Sequence, residues 1–171
     1  MFRAFVLAVV MSMCVLAQTP PRRPVVVQEA PAVDTEALFP QSLAGIKRTK
    51  VEVTPSSVPG SPGYVAAAEY TDGLRLELRR GGAMASPERL KNLAEIYKNR
   101  PKRQGQTGYE RPVTLQGYQG LETYVSYNKV WLCTIILGET GSLALTSNIS
   151  EEVFRKAVEE LKLKQIEARL R

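Results

Sequence analysis

The chain has 171 residues, 44% of them apolar and 23% charged, with 23 Lys and Arg against 17 Asp and Glu for a formal charge of +6. These are ordinary globular values for one domain with a sizeable core. The basic excess falls short of a dedicated nucleic-acid binder. Histidine is absent, which removes the commonest general base and metal ligand.

The first residues have the form of an export signal. Met1, Phe2 and Arg3 give a short positive start, and residues 4–17, "AFVLAVVMSMCVLA", are uncharged. As a helix this run rises roughly 21 Å, short of a hydrocarbon core of about 30 Å. It ends in Val15-Leu16-Ala17 before "QTPP", which predicts cleavage between Ala17 and Gln18 and a periplasmic or secreted product. Cys14 invites a lipoprotein reading, but Met13 is too large for the residue that precedes a lipidated cysteine. With the signal removed, Cys133 has no partner for an intramolecular disulfide, so stability must come from packing. Residues 18–35 are rich in proline without apolar periodicity and predict a flexible linker. The folded domain is expected over 36–171, opening with Leu38, Phe39 and Leu43.

Strands and helices follow. Residues 46–53 alternate imperfectly, as an edge strand does. In "GYVAAAEYTDGLRLELRR", Leu74, Leu76 and Leu78 alternate with Arg75, Glu77 and Arg79, one dry face and one wet, and Thr71-Asp72-Gly73 supplies the hairpin turn. Gly81-Gly82 ends that strand. Ser86 caps a helix over 86–99, with Pro87 in its first turn and Leu90, Leu93, Ala94 and Tyr97 as its apolar stripe. Further strands are expected at "RPVTLQ", "LETYVSY", "VWLCTIIL" and "SLALTSN". In residues 130–137 both faces are apolar: Val130, Leu132 and Ile136 on one, Trp131, Cys133, Ile135 and Leu137 on the other. Such a strand belongs in the middle of a sheet covered on both sides. Ser150 caps a last helix whose stripe Phe154, Ala157, Val158, Leu161 is out of phase with Leu163, Ile166 and Leu170, so a break is expected near Leu161. Together these predict an α+β domain with six or seven mostly antiparallel strands, one helix near 86–99 and a broken C-terminal helix.

Little chemistry is written in the motifs. Walker-type loops, dinucleotide fingerprints and nucleophile elbows are missing, and one cysteine without histidine supplies no ordinary zinc site. Ser126-x-x-Lys129 matches a serine–lysine acylation motif, but it lies across a hairpin turn. Cys133 reads as inert core, and Asn148 as the end of a strand rather than a glycosylation site. No catalytic residue, cofactor or metal is expected.

The candidate binding residues are Lys98, Arg100, Lys102, Arg103, Tyr109 and Arg111, a basic loop relieved only by Glu110. Arg79, Arg80, Lys47, Arg48 and Lys50 are expected to extend it. Such a surface suits an envelope protein or an anionic surface such as lipid head groups or lipopolysaccharide. Nucleic acid is not expected, because the chain reads as exported and its aromatics are committed to the core. Oligomeric state is not written in the sequence. The leading reading is an exported, non-catalytic binding or accessory module. The alternative is a hydrolase or transferase using carboxylates such as Glu69, Glu77 or Glu122.

"LFPQSLAGIKRT", "AAAEYTDGLRLEL", "RPVTLQGYQGLETY" and "ISEEVFRKAVEELKLKQIEARL" resemble a group of uncharacterised exported bacterial proteins. Their order also resembles PsbP-like domains, over roughly residues 38–170. The resemblance implies an antiparallel sheet flanked by helices and carries no catalytic residues.

Overall fold

The computed structural model describes residues 34–55 and 62–171. The expected signal peptide and most of the expected linker lie outside the described residues. Among those described, no helix is long and apolar enough to cross a membrane.

The architecture is one nine-stranded antiparallel sheet with helices on both faces. A single helical turn, α1 (Thr35–Leu38), leads into β1 (Ser42–Leu43), β2 (Ile46–Pro55), β3 (Gly63–Tyr70) and β4 (Arg75–Gly81). Helix α2 (Pro87–Lys98) crosses to the far edge, where β5 (Arg103–Gly105) starts a second meander. It continues inward through β6 (Gly108–Leu115), β7 (Tyr118–Val125), β8 (Val130–Leu137) and β9 (Gly141–Ser147). The spatial order is β1-β2-β3-β4-β9-β8-β7-β6-β5, so the two meanders meet where β9 pairs with β4. Helices α3 (Glu151–Glu160) and α4 (Leu163–Leu170) close the chain.

The expected α+β class holds, and the strand count rises from six or seven to nine. The additions are β1 and β5, two and three residues long, too short to show any alternation. They pair only with the neighbouring strand of their own hairpin.

Local chemistry sets the boundaries of the helices. Ser86 and Ser150 accept the Arg89 and Val153 amides, so each N-terminus is capped by a serine hydroxyl. The break expected near Leu161 is present: Leu161 is extended, at φ −62° and ψ 123°, and α4 restarts at Leu163. The turn between β3 and β4 places Asp72 at φ 60° and Gly73 at φ 77°, left-handed values that aspartate tolerates and glycine adopts freely.

The principal core lies between the sheet and α3–α4. It joins Ala66, Ala68, Leu76, Leu78, Leu143, Leu145, Cys133 and Ile135 to Phe154, Ala157, Leu161, Leu163, Ile166 and Leu170. A smaller cluster of Ala85, Leu90 and Ile136, with Leu93, Ala94 and Tyr97 against it, seats α2 on the opposite face. Strand β8 therefore lies centrally between two covered faces, as its composition requires. Cys133 is 1% exposed, and burial pushes its thiol up to about 12, which keeps it un-ionised at neutral pH.

Candidate functional site

The six candidate residues of the basic loop do not form one surface. Tyr109 and Arg111 sit at alternate positions of β6 and turn toward α3. There the Tyr109 hydroxyl donates to Glu122 Oε1 at 2.5 Å, and Arg111 Nη2 donates to the same oxygen at 3.0 Å. Arg155 of α3 adds its Nη2 at 3.2 Å from Glu122 Oε1 and pairs with Glu151. Glu122 is 5% exposed, so its charge is offset by two guanidinium groups and a hydroxyl, as a buried carboxylate requires. Burial, then the bond to Glu122, pushes the Tyr109 hydroxyl up to about 12, and it remains a donor. Tyr109, Tyr124, Trp131 and Phe154 continue the contact into the core, with Tyr124 stacked on Trp131 at 4.6 Å.

Of the remaining four, Arg100 Nε donates to Glu110 at 2.6 Å, a pairing that raises the guanidinium pKa. Lys98 ends α2, and Lys102 and Arg103 are exposed at the β5 edge. The expectation that Lys47, Arg48 and Lys50 extend this cluster is overturned. Strands β2 and β5 occupy the second and ninth places of the sheet, seven spacings apart, or roughly 33 Å along it. Arg79 and Arg80 on β4 are five spacings from β5.

A different constellation emerges where α2 overlies the sheet. The wet alternation of β4 puts Arg75, Glu77 and Arg79 on the α2 face, next to Thr146, Ala144 and Ser142 of β9. Beyond them on β8 come Leu132, Thr134 and Ile136. Helix α2 covers the β6–β8 side of this face and leaves a groove of about 430 Å³ beside β4. Arg89, Leu93 and Tyr97 of α2, with Met84 before it, form the opposite wall. Met84 is 55% exposed and α2's Ile96 51%, large apolar side chains left in water on this side of the molecule.

The groove has an ordered electrostatic pattern. Glu77 Oε1 accepts from Arg79 Nε at 2.8 Å and lies 2.7 Å from its Nη2, while Oε2 accepts from Arg75 Nη2 at 3.4 Å. Arg75 Nη1 also stands 3.8 Å from Glu69. One carboxylate thus holds two guanidiniums in place without using all their donors. Arg89 forms no side-chain ion pair among the described residues.

The three carboxylates of the hydrolase or transferase reading do not converge. Glu69 and Glu77 share Arg75 on the α2 face, only Glu77 lines the groove, and Glu122 lies on the opposite face. Among the described residues, no group of three or more His, Cys, Asp or Glu side chains is disposed to hold a metal ion.

Alternation had assigned Arg75, Glu77 and Arg79 to a solvated face, and that is where they are. What it missed is the partial roof, because a strand's period does not say which helix crosses above it. The Arg111–Glu122 pair had a findable signal. Leu115 pairs with Tyr118 around Gln116-Gly117, and counting outward from that turn puts Arg111 directly opposite Glu122. Comparison with family models, with curated proteins and with solved structures finds no match to this chain.

Proposed function

We propose that this chain is an exported, non-catalytic binding or accessory module, and that its partner is anionic or presents an acidic surface to the α2 side of the sheet. One observation carries the reading: the groove between α2 and β4–β9–β8, where Arg75 and Arg79 of β4 share an open space with Arg89, Leu93 and Tyr97 of α2 and with Met84. Positive charge beside exposed apolar surface is the usual composition of a recognition site. The basic edge at Lys98, Lys102 and Arg103 follows Tyr97 directly in the chain and adds attraction for the same class of partner. Export rests on the first 17 residues, and an envelope protein or a lipid head group fits that address.

Site-specific photocrosslinking in intact cells tests the reading. A crosslinker at Met84 or Arg103 is expected to give discrete adducts that fade at high salt, whereas one at Lys164 on α4 gives none. Adducts equal at all three positions, or none anywhere, would overturn it. The amino-terminal residue of the protein recovered from the envelope fraction tests the address, and Gln18 is the expected result.

A further inference from the structure

We propose that the α2 groove is a site for a small amphipathic anion, a single oxyanion head such as a phosphate or carboxylate carrying a short apolar tail. The inference deepens the binding-module reading above and rests on it. The two walls of the groove differ in chemistry. Arg75 and Arg79 stand on the β4 side with the hydroxyls of Ser142, Thr134 and Thr146 further along the floor. Leu93 and Tyr97 of α2, Met84, and Leu132 of β8 supply apolar surface in the same space.

Charge selects the head group. The groove is lined by three arginines and one glutamate, a surplus of two positive charges (3 − 1). Glu77 orients Arg79 by accepting from Nε and pairing with Nη2, which uses part of the donor capacity of a guanidinium that lines the groove. Arg89 forms no ion pair among the described residues, and it lines the same groove from α2. Guanidiniums that line one groove from separate elements match the several acceptors of an oxyanion better than a neutral group. The apolar wall selects the tail. At about 430 Å³ the space has the size of a small-molecule site, and a fully hydrated ion would leave the half-buried Leu93 and Leu132 facing water.

Met84 is the only methionine after residue 13, so a methyl-labelled Met84 reports on the groove wall. The test is a titration of the full-length chain with octyl phosphate below its micelle concentration, followed by the one methionine methyl signal that Met84→Leu removes. Inorganic phosphate and octyl glucoside are the comparison probes. The expected result is saturable binding of octyl phosphate, at least tenfold weaker binding of inorganic phosphate, and no saturable response to octyl glucoside. Arg89→Gln, on an exposed helix position, should weaken octyl phosphate about tenfold with the melting temperature unchanged.

Inorganic phosphate binding as tightly as octyl phosphate would reduce the groove to a plain anion site and overturn the amphiphile. An equal response to octyl glucoside would show apolar adsorption and overturn the charge argument. No response to any probe, with Met84 crosslinks intact in cells, would overturn this inference and leave the broader reading standing. Loss of both removes the broader reading too.

Discussion

Glu77 and Glu122 are each held by two arginines, one on each face of the same sheet, and the two arrangements differ in what they join. Arg75 and Arg79, the partners of Glu77, are its own neighbours two residues away on β4. Glu122 on β7 takes Arg111 from β6 and Arg155 from α3. The first cluster lies along β4 and reaches only the adjacent Glu69 of β3; the second fastens a helix to the sheet around a buried carboxylate. On the α3–α4 face, charge completes a packed interface, and its guanidiniums are committed to a buried carboxylate. On the α2 face the same residue types contribute little to holding the fold together, and they stay available for something outside the molecule.

That contrast predicts its largest effect in the aromatic and aliphatic packing. Phe154 is 1% exposed beside Trp131, and Phe154→Ala should cost about 3–5 kcal/mol in urea unfolding, the range for truncating a buried aromatic. Leu93→Ala on the half-open face should cost about 1 kcal/mol or less, because only part of its side chain leaves a packed environment. Equal losses would mean that the α2 face is as closed in solution as the other, and the groove would then be no binding space.

The next effect separates the two glutamates. Glu122→Ala removes the acceptor shared by Tyr109, Arg111 and Arg155, and an expected loss of about 2 kcal/mol follows from stranding charged donors. Their partial exposure keeps the figure below that of a fully buried pair. Glu77→Gln should stay within about 0.5 kcal/mol, as exposed pairs do. A double-mutant cycle between Glu122 and Arg155 should show coupling, and one between Glu77 and Arg79 should show little. Reversed magnitudes would contradict the division between fastening and display.

Local signals made much of this legible in the sequence. Ser86-Pro87 and Ser150 mark helix starts through side chains that reach only three residues away, and the two-residue phase slip after Leu161 marks the break. Hydrophobic runs on both faces of residues 130–137 were enough to put β8 inside. Short edges such as β1 and β5 were hidden because two or three residues carry no period. The basic loop misled for a related reason. Alternation in β6 sends Tyr109 and Arg111 to one face and Glu110 to the other, so proximity in the chain separates them in space. Nothing local places Arg89 and Arg79 on one groove; that depends on how far α2 slides over the sheet.

The smallest effect concerns a second fastener on the closed face. Glu167 of α4 accepts from the Tyr118 hydroxyl at 2.6 Å and from Arg171 at 3.0 Å. The Tyr118 bond first, and Arg171 second, hold its carboxyl below the ordinary value of 4.5. Because the folded value lies under the unfolded one, this stabilisation is complete above about pH 4.5 and is lost as the pH falls through the folded value. The expected loss is under about 1 kcal/mol, since the pair is near the surface. Denaturant midpoints measured from pH 6 down to pH 3 should fall more steeply for the parent than for Glu167→Gln, with the two curves meeting at the acid end. Tyr118→Phe should flatten the parent curve in the same way, because it removes the bond that contributes most to the shift. If both variants titrate like the parent, then the Glu167 contacts add nothing to the hold that Leu163, Ile166 and Leu170 give α4. The polar fastening of this face then rests on the Glu122 cluster with the Ala44–Glu160 and Gln116–Leu161 hydrogen bonds.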